Sequence, residues 1–248
     1  MTTLRNLLIV DAETTGLDFE ENAPIEFGAI LFDVDHRSIT HQFSALLPSV
    51  VPNDAEALNG IPDSLLNTTA VRMGWGLTSL RYLQHLHNCA DAILAHNAEF
   101  DRQWLLPVLS SNQGGLAGNW RQKPWICTLR DFRWKVPSLR STPSVVDLAL
   151  AHGVPVWQTH RALTDCAYLA EVLASRQDLP ELLLDAQKPQ TLYAAVVTYE
   201  QREMAKAAGF QWQAHQQRTW TRYLREDEVG ALPFKVVAVA PWPAATGA

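Results

Sequence analysis

Short apolar runs separated by polar turns open the chain. Leu7–Val10 reads as a buried strand that ends in the acidic pair Asp11 and Glu13. Pro24–Asp33 and Thr40–Leu47 are two more strand-like runs, parted by the polar turn Asp35-His36-Arg37-Ser38. Three strands with short connections predict an antiparallel meander. The period then changes. Leu77, Leu80, Leu83 and Leu86 recur three apart and predict a helix over Leu77–Cys89. Ala92–Ala95 reads as a short buried strand, Glu99–Leu109 as a helix, and Trp125–Leu129 as a further strand. A Gly- and Asn-rich loop, Ser111–Asn119, lies between the last two. Val145–Ala151 predicts a helix closed by Gly153, and Arg161–Ser175 a longer one. Strands first, then alternating helix and strand, predict an α/β fold with a mixed sheet covered by helices.

Gln177–Gln190 holds Pro180 and Pro189 and reads as a boundary. Beyond it Leu192–Tyr199 reads as a strand, Gln201–Ala208 as a helix stopped by Gly209, Thr219–Leu224 as a strand, and Pro233–Val239 as a short apolar run. The expected organisation is a catalytic domain over 1–180, a small C-terminal α+β accessory module over 190–240, and a flexible Pro- and Ala-rich tail over 241–248.

Apolar residues make up 47% of the 248 positions, enough for a real core. The net charge of −6 is not that of a protein gripping duplex nucleic acid through a basic face. It leaves room for a site built of carboxylates around cations. Cys89, Cys127 and Cys166 lack paired spacing and read as reduced, buried thiols. The polar Met1–Asn6 leads into an apolar run too short for a signal-peptide core or a membrane span, so a cytoplasmic protein with no membrane partner is expected.

Asp11 and Glu13 stand two apart. On a strand both carboxylates share one face, and Gly16 lets the chain turn away after them. Such a pair needs a compensating cation if buried, although Asp-x-Glu alone also fits a solvated strand end. His96-Asn97-Ala98-Glu99-Phe100-Asp101 follows a strand and opens a helix, and alone is an ordinary helix start. His160-Arg161-Ala162-Leu163-Thr164-Asp165 puts Asp165 on the long helix and His160 just before it, where a loop histidine can fold back toward the same site. His85 and His87 are two apart on a helix, diverge, and read as surface residues.

In order and spacing, Asp11-Ala12-Glu13-Thr14-Thr15-Gly16-Leu17 and the two later segments resemble the three motifs of the DEDDh family of 3′–5′ exonucleases. That family includes the proofreading epsilon subunit of bacterial DNA polymerase III. The resemblance runs from about Leu7 to Arg176 and implies an RNase H-like fold. It further implies that Asp11, Glu13, Asp101 and Asp165 hold two divalent metals, Mg²⁺ or Mn²⁺, with His160 as general base. In a related branch a tyrosine four residues before the last aspartate replaces the histidine. Arg161 stands there, which favours the histidine branch. Hard oxygen donors suit Mg²⁺ or Mn²⁺ better than Zn²⁺. By position, the Thr14 backbone would meet the terminal 3′-hydroxyl and Leu17 would wedge against the last bases, with Asn97 and Phe100 as weaker groove-lining candidates. Phe100 is equally well read as core.

The expected partners are single-stranded nucleic acid or 3′ ends and a polymerase or repair protein. The expected role lies in DNA repair, proofreading or nucleic-acid turnover. Two alternatives stay open: an exoribonuclease of the same family, and a non-catalytic interaction module. Leu192–Val239 carries six basic and five acidic residues, against a net −7 for the rest. Phe210, Trp212, Trp220 and Tyr223 lie among its arginines. They either stack on single strands or form the core of the module.

Overall fold

The computed structural model describes residues 2–111, 117–136, 139, 142–213 and 218–240. The run 112–116 and the expected tail 241–248 lie outside them.

The chain divides into two compact units, the first made of Met1–Leu139 with Pro143–Ala186 and the second holding the chain from Gln187 onward. The first unit is built on a five-stranded sheet. β1 (Asn6–Thr14), β2 (Pro24–Asp33) and β3 (Ser38–Leu46) form the expected meander. β4 (Ala92–Ala95) and β5 (Trp125–Cys127) complete the order β3-β2-β1-β4-β5, and β1, β4 and β5 run parallel. β1 lies at the centre and is apolar on both faces, as a strand covered on both sides must be. Leu7 and Ile9 enter one core and Leu8, Val10 and Ala12 the other. β3 lies at the edge; of its residues only Phe43 is buried.

Three short helices follow β3: α1 (Glu56–Asn59), α2 (Asp63–Leu66) and α3 (Thr69–Gly74). α4 (Leu77–Cys89), α5 (Ala98–Ser111) and α6 (Ala117–Gln122) come next. Leu83, Leu86, Trp104, Leu109 and Trp120 of these helices close the second core. α7 (Val145–Ala151), α8 (Ala162–Ser175) and α9 (Leu179–Ala186) close the first through Leu148, Leu169, Leu173 and Leu183. α8 lies directly on β1, where the buried Cys166 thiol donates to the carbonyl of Ile9 at 3.7 Å.

Several expectations change. The stretch 177–190, expected as a boundary, carries α9, which belongs to the first unit. His87, expected at the surface, is buried and stacks on Trp120 at 4.4 Å, and burial pushes its imidazole down to about 4. His85 is exposed, as expected. Cys127 and Cys166 are buried free thiols, but Cys89 is exposed.

The second unit is a four-stranded antiparallel sheet with two short helices. β6 (Thr191–Val196), α10 (Arg202–Ala207), β7 (Gln211–Gln213), β8 (Thr219–Leu224), α11 (Glu226–Val229) and β9 (Lys235–Ala238) give the order β7-β8-β6-β9. Phe210 is core here, with Ala195, Ala205 and Leu224, and Trp220 packs against them. Arg222 is engaged within the unit, donating to the Ala208 carbonyl at 2.6 Å and standing 3.7 Å from Glu228. Trp212 and Arg218 remain at the surface. Among the described residues no helix is long and apolar enough to cross a membrane.

Candidate active site

Asp11 and Glu13 leave β1 on the face of Leu7 and Ile9, because side chains alternate along a strand. That is the face on which α8 packs. β4 ends at Ala95 while β1 runs on to Thr14, so the end of β1 stands free of its parallel neighbour. This is the carboxyl end of the parallel strands, where open α/β sheets place ligands. Asp101, in the first turns of α5, reaches this end and accepts the main-chain N–H of Ala12 at 3.0 Å.

α8 brings the last carboxylate. His160, just before it, has φ 57°, a left-handed conformation that bulky residues seldom adopt. The turn returns the imidazole to the site. One ligand atom each from Glu13, His160 and Asp165 lies within 4.8 Å of the other two. The main-chain N–H of His160 faces the Asp165 carboxylate and favours its ionised form. Asp11 and Asp101 both border one narrow apolar cavity, with Phe27, Gly28, Leu83 and Leu105.

Three residues outside the motif positions hold α8 and the first motif in place. Glu26 pairs with Glu13 across β1 and β2 and is buried. Its carboxylate takes two hydrogen bonds from the Arg161 guanidinium, at 2.8 and 2.9 Å, and a third from the Ala162 N–H at 3.0 Å. It therefore caps α8 from another strand, an anion at a helix N-terminus tied to a bidentate arginine. Gly28 pairs with Asp11 across β2. A Cβ there would stand 2.4 Å from main-chain atoms of Ala162 and Leu163, so only glycine lets α8 approach so closely. Asn59 is buried, and its side-chain amide donates to the Thr14 carbonyl at 3.3 Å. A glutamate and a glycine inside the apolar run Pro24–Asp33 were the available sequence signals for the first two. Asn59 had none.

Of the residues suggested for substrate, Thr14 is buried and its hydroxyl donates to the Gly16 carbonyl. Leu17 is 83% exposed beside it. Asn97 is exposed at φ 68°. Phe100 is half-buried, edge-on to Trp104 at 6.1 Å and packed on the second core. His96, which opens the second motif, is held away from the carboxylates. It donates Nε2–H to the Pro143 carbonyl (2.8 Å), and its Nδ1 lies 2.9 Å from the Thr128 hydroxyl. Burial pushes its imidazole down, so the neutral tautomer fits both bonds.

The crowding of acids appears in their titration. Burial raises Asp11 well above the usual carboxylate range, with Asp101, Asp165 and Glu13 adding like charge. Burial likewise raises Asp101, against the hydrogen bond from Ala12. Glu13 is pushed up to about 8 by burial, then by Asp165, Glu26 and Asp101, with Arg161 opposing. Asp165 rises to about 6 through burial, against the His160 N–H. Asp101 Oδ2 and Asp165 Oδ1 are buried with no hydrogen-bond partner. Hard oxygens that are buried, unpartnered and mutually repelling fit a divalent cation such as Mg²⁺ or Mn²⁺.

That arrangement has a thermodynamic consequence without metal. The folded protein keeps protons that the unfolded chain would release, so stability falls as pH rises from near 4 to about 8. In EDTA, Tm should decline over this window. Mn²⁺ or Mg²⁺ should cancel most of the decline by favouring the ionised carboxylates. A Tm that climbs from pH 5 to pH 8 in EDTA would show that these acids are not crowded as described. Differential scanning fluorimetry reads both.

A family model described as exonuclease matches residues 8–173, the whole span of the sheet and its motifs. The chain belongs to the exonuclease family. Its motif residues put this exonuclease among the DEDDh-type 3′–5′ enzymes. It is 27% identical over 179 residues to DNA polymerase III subunit epsilon of Treponema pallidum (strain Nichols), covering 66% of this chain and 73% of the relative. With the same subunit of Aquifex aeolicus (strain VF5) the identity is 28% over 168 residues, covering 66% and 77%. Among solved structures, E. coli exonuclease I in complex with a dT13 oligonucleotide superposes with a TM-score of 0.55 at 16% identity. That match spans 78% of this exonuclease and 48% of the other chain, and it establishes the RNase H-like fold. Residues 191–239 match a second family model, described as a domain of unknown function.

Proposed function

We propose that this chain removes nucleotides from the 3′ end of a nucleic-acid strand by metal-dependent hydrolysis, releasing 5′-monophosphates. The observation that carries the proposal is the gathering of four carboxylates and His160 at the end of β1, with Asp101 Oδ2 and Asp165 Oδ1 left unpartnered. In this reading Asp11, Glu13, Asp101 and Asp165 hold two divalent cations. Such a pair offsets the carboxylate charge, acidifies water and stabilises charge on a phosphate in displacement.

His160 takes the proton from the attacking water. The water oxygen forms the new P–O bond and the bond from phosphorus to the preceding 3′-oxygen breaks. That oxygen is protonated and becomes the new 3′-hydroxyl. The left-handed turn at His160 keeps the base beside the Asp165 and Glu13 carboxylates. Thr14, its carbonyl fixed by Asn59, positions the terminal 3′-hydroxyl, and exposed Leu17 offers an apolar edge to the last base. Asn97 and Phe100 line the approach.

The test is purified protein on 3′-labelled single-stranded DNA, duplex DNA and RNA with Mg²⁺ or Mn²⁺. Label should leave as mononucleotide, and EDTA should stop its release. Cleavage that survives EDTA, or proceeds only from the 5′ end, would overturn the proposal. The same panel separates a deoxyribonuclease from an exoribonuclease. Binding without cleavage of any strand would point to an interaction module.

A further inference from the structure

The loop between α7 and α8 carries Trp157, a residue 68% exposed. Tryptophan is highly buried on average, and this one is not. The loop has no regular structure, yet it is tightly held. The buried Tyr168 of α8 accepts hydrogen bonds from the N–H groups of Trp157 and Gln158, both at 3.0 Å, and donates to the Gln158 carbonyl at 2.6 Å. The indole meets the Tyr168 ring at 4.9 Å and 71°, a T-shaped contact. Its position is thus set from below while much of its surface stays open.

Trp157 lines a cleft of about 330 Å³ with Val156, Gln158 and Thr159 on one side and Ala57–Gly60 on the other. Both walls adjoin the candidate active site. Thr159 precedes His160, and Asn59 holds the Thr14 carbonyl. Leu58, opposite, is 58% exposed. The lining holds no charged residue, so it suits the flat face of a base better than a phosphate.

We propose that Trp157 is a stacking platform for one nucleobase of the substrate strand close to the scissile phosphate, with the cleft as its slot. The inference rests on the exonuclease reading above. Every base has a π-face, so the contact adds grip without choosing sequence. Immobilising Trp157 in advance removes an ordering cost on binding.

Abasic substitution tests this. Oligonucleotides bearing a tetrahydrofuran abasic residue at each of the last three positions are compared with the parent strand, for wild type, Trp157→Ala and Trp157→Phe. Trp157→Ala should raise KM about ten-fold or more on the parent strand, with kcat changing little. The penalty should vanish on one abasic substrate, the one missing the stacked base, and Trp157→Phe should recover part of the loss. Fluorescence anisotropy of labelled strands in EDTA measures the same effect on Kd without turnover, and the Tm of each variant checks that the loop has not collapsed. An unchanged KM, or a penalty equal on every abasic strand, overturns the platform. A wild type that binds these strands but never cleaves them sinks the exonuclease reading instead, while the anisotropy comparison still decides the role of Trp157.

Discussion

Asp11→Ala should abolish hydrolysis and metal binding together, whereas His160→Ala should abolish neither. Asp11 stands at the centre of the acidic cluster. It feels Asp101, Asp165 and Glu13 and lines a cavity with Asp101. Without it the remaining carboxylates no longer form one continuous set, so the residual rate should approach background. His160 contributes a nitrogen within 4.8 Å of the Glu13 and Asp165 ligand atoms, but it is no member of the proposed metal set. His160→Ala keeps all four carboxylates. Its turnover should fall by about 10²–10⁴, the usual worth of a positioned general base. Isothermal titration with Mn²⁺, read beside the rate on 3′-labelled single strands, separates the two roles. Equal metal loss in both variants would show that His160 is a ligand rather than the base.

Asp11→Ala should also make the metal-free protein more stable near pH 8. Burial and the neighbouring carboxylates raise Asp11 well above the usual carboxylate range, so near pH 8 folding without metal must hold on it a proton that the unfolded chain releases, a cost that alanine does not carry. Loss of activity with a gain in Tm is the signature of a cluster kept for function at a cost to the fold.

Much of this site can be read in the amino-acid sequence because its parts are local. Two acids at i and i+2 on an apolar run must share a face, and a loop histidine before a helix can reach the helix's first turn. Most strands were equally legible, since short continuous apolar runs such as Leu7–Val10 bounded by turn residues read as buried strands, whereas the polar Gln211–Gln213 of β7 gave no such signal. The first three helices were not legible: α1, α2 and α3 are too short to develop a helical period. α9 was hidden by Pro180 within it and Pro189 just beyond. Pro180 lies in the first turn, where a missing N–H costs nothing, and Leu179, Leu182, Leu183 and Ala186 are nonetheless buried. His87 deceived for another reason. Its spacing from His85 shows that the two diverge, but which of them turns inward depends on Trp120, distant in sequence.

The residues that hold the site together depend on long-range pairing, and this is what a single sequence conceals. Glu26 and Gly28 acquire meaning only through the register that sets them opposite Glu13 and Asp11. Arg161 had been useful only as the residue that is not a tyrosine. In the structure it is the bidentate partner of a buried fifth carboxylate, Glu26, that stands beside the other four. In the second unit Arg222 is likewise engaged, by the Ala208 carbonyl and Glu228.

Gly28→Ala should be the most damaging substitution that removes no functional group. The added methyl carbon would lie 2.4 Å from the Ala162 carbonyl carbon and the Leu163 nitrogen and 2.7 Å from the Ala162 oxygen. All three are main-chain atoms of the first turn of α8, so no side chain can swing aside. Either β2 bends or α8 lifts, at a cost of about 1–3 kcal/mol for overpacking. Lifting α8 carries Asp165 and His160 away from Glu13 and strains the three hydrogen bonds on Glu26. A displacement of about 1 Å is enough to cost about 10² in rate. The expected variant is folded, less stable, able to bind strands, and slower by two orders of magnitude or more, with the loss in kcat. Gly74→Ala is the control, because a Cβ there meets nothing within 4 Å, and its rate and Tm should match the parent. Wild-type kcat in Gly28→Ala would mean that α8 sits less tightly on β2 than these distances require, and that the placement of Asp165 does not depend on the glycine.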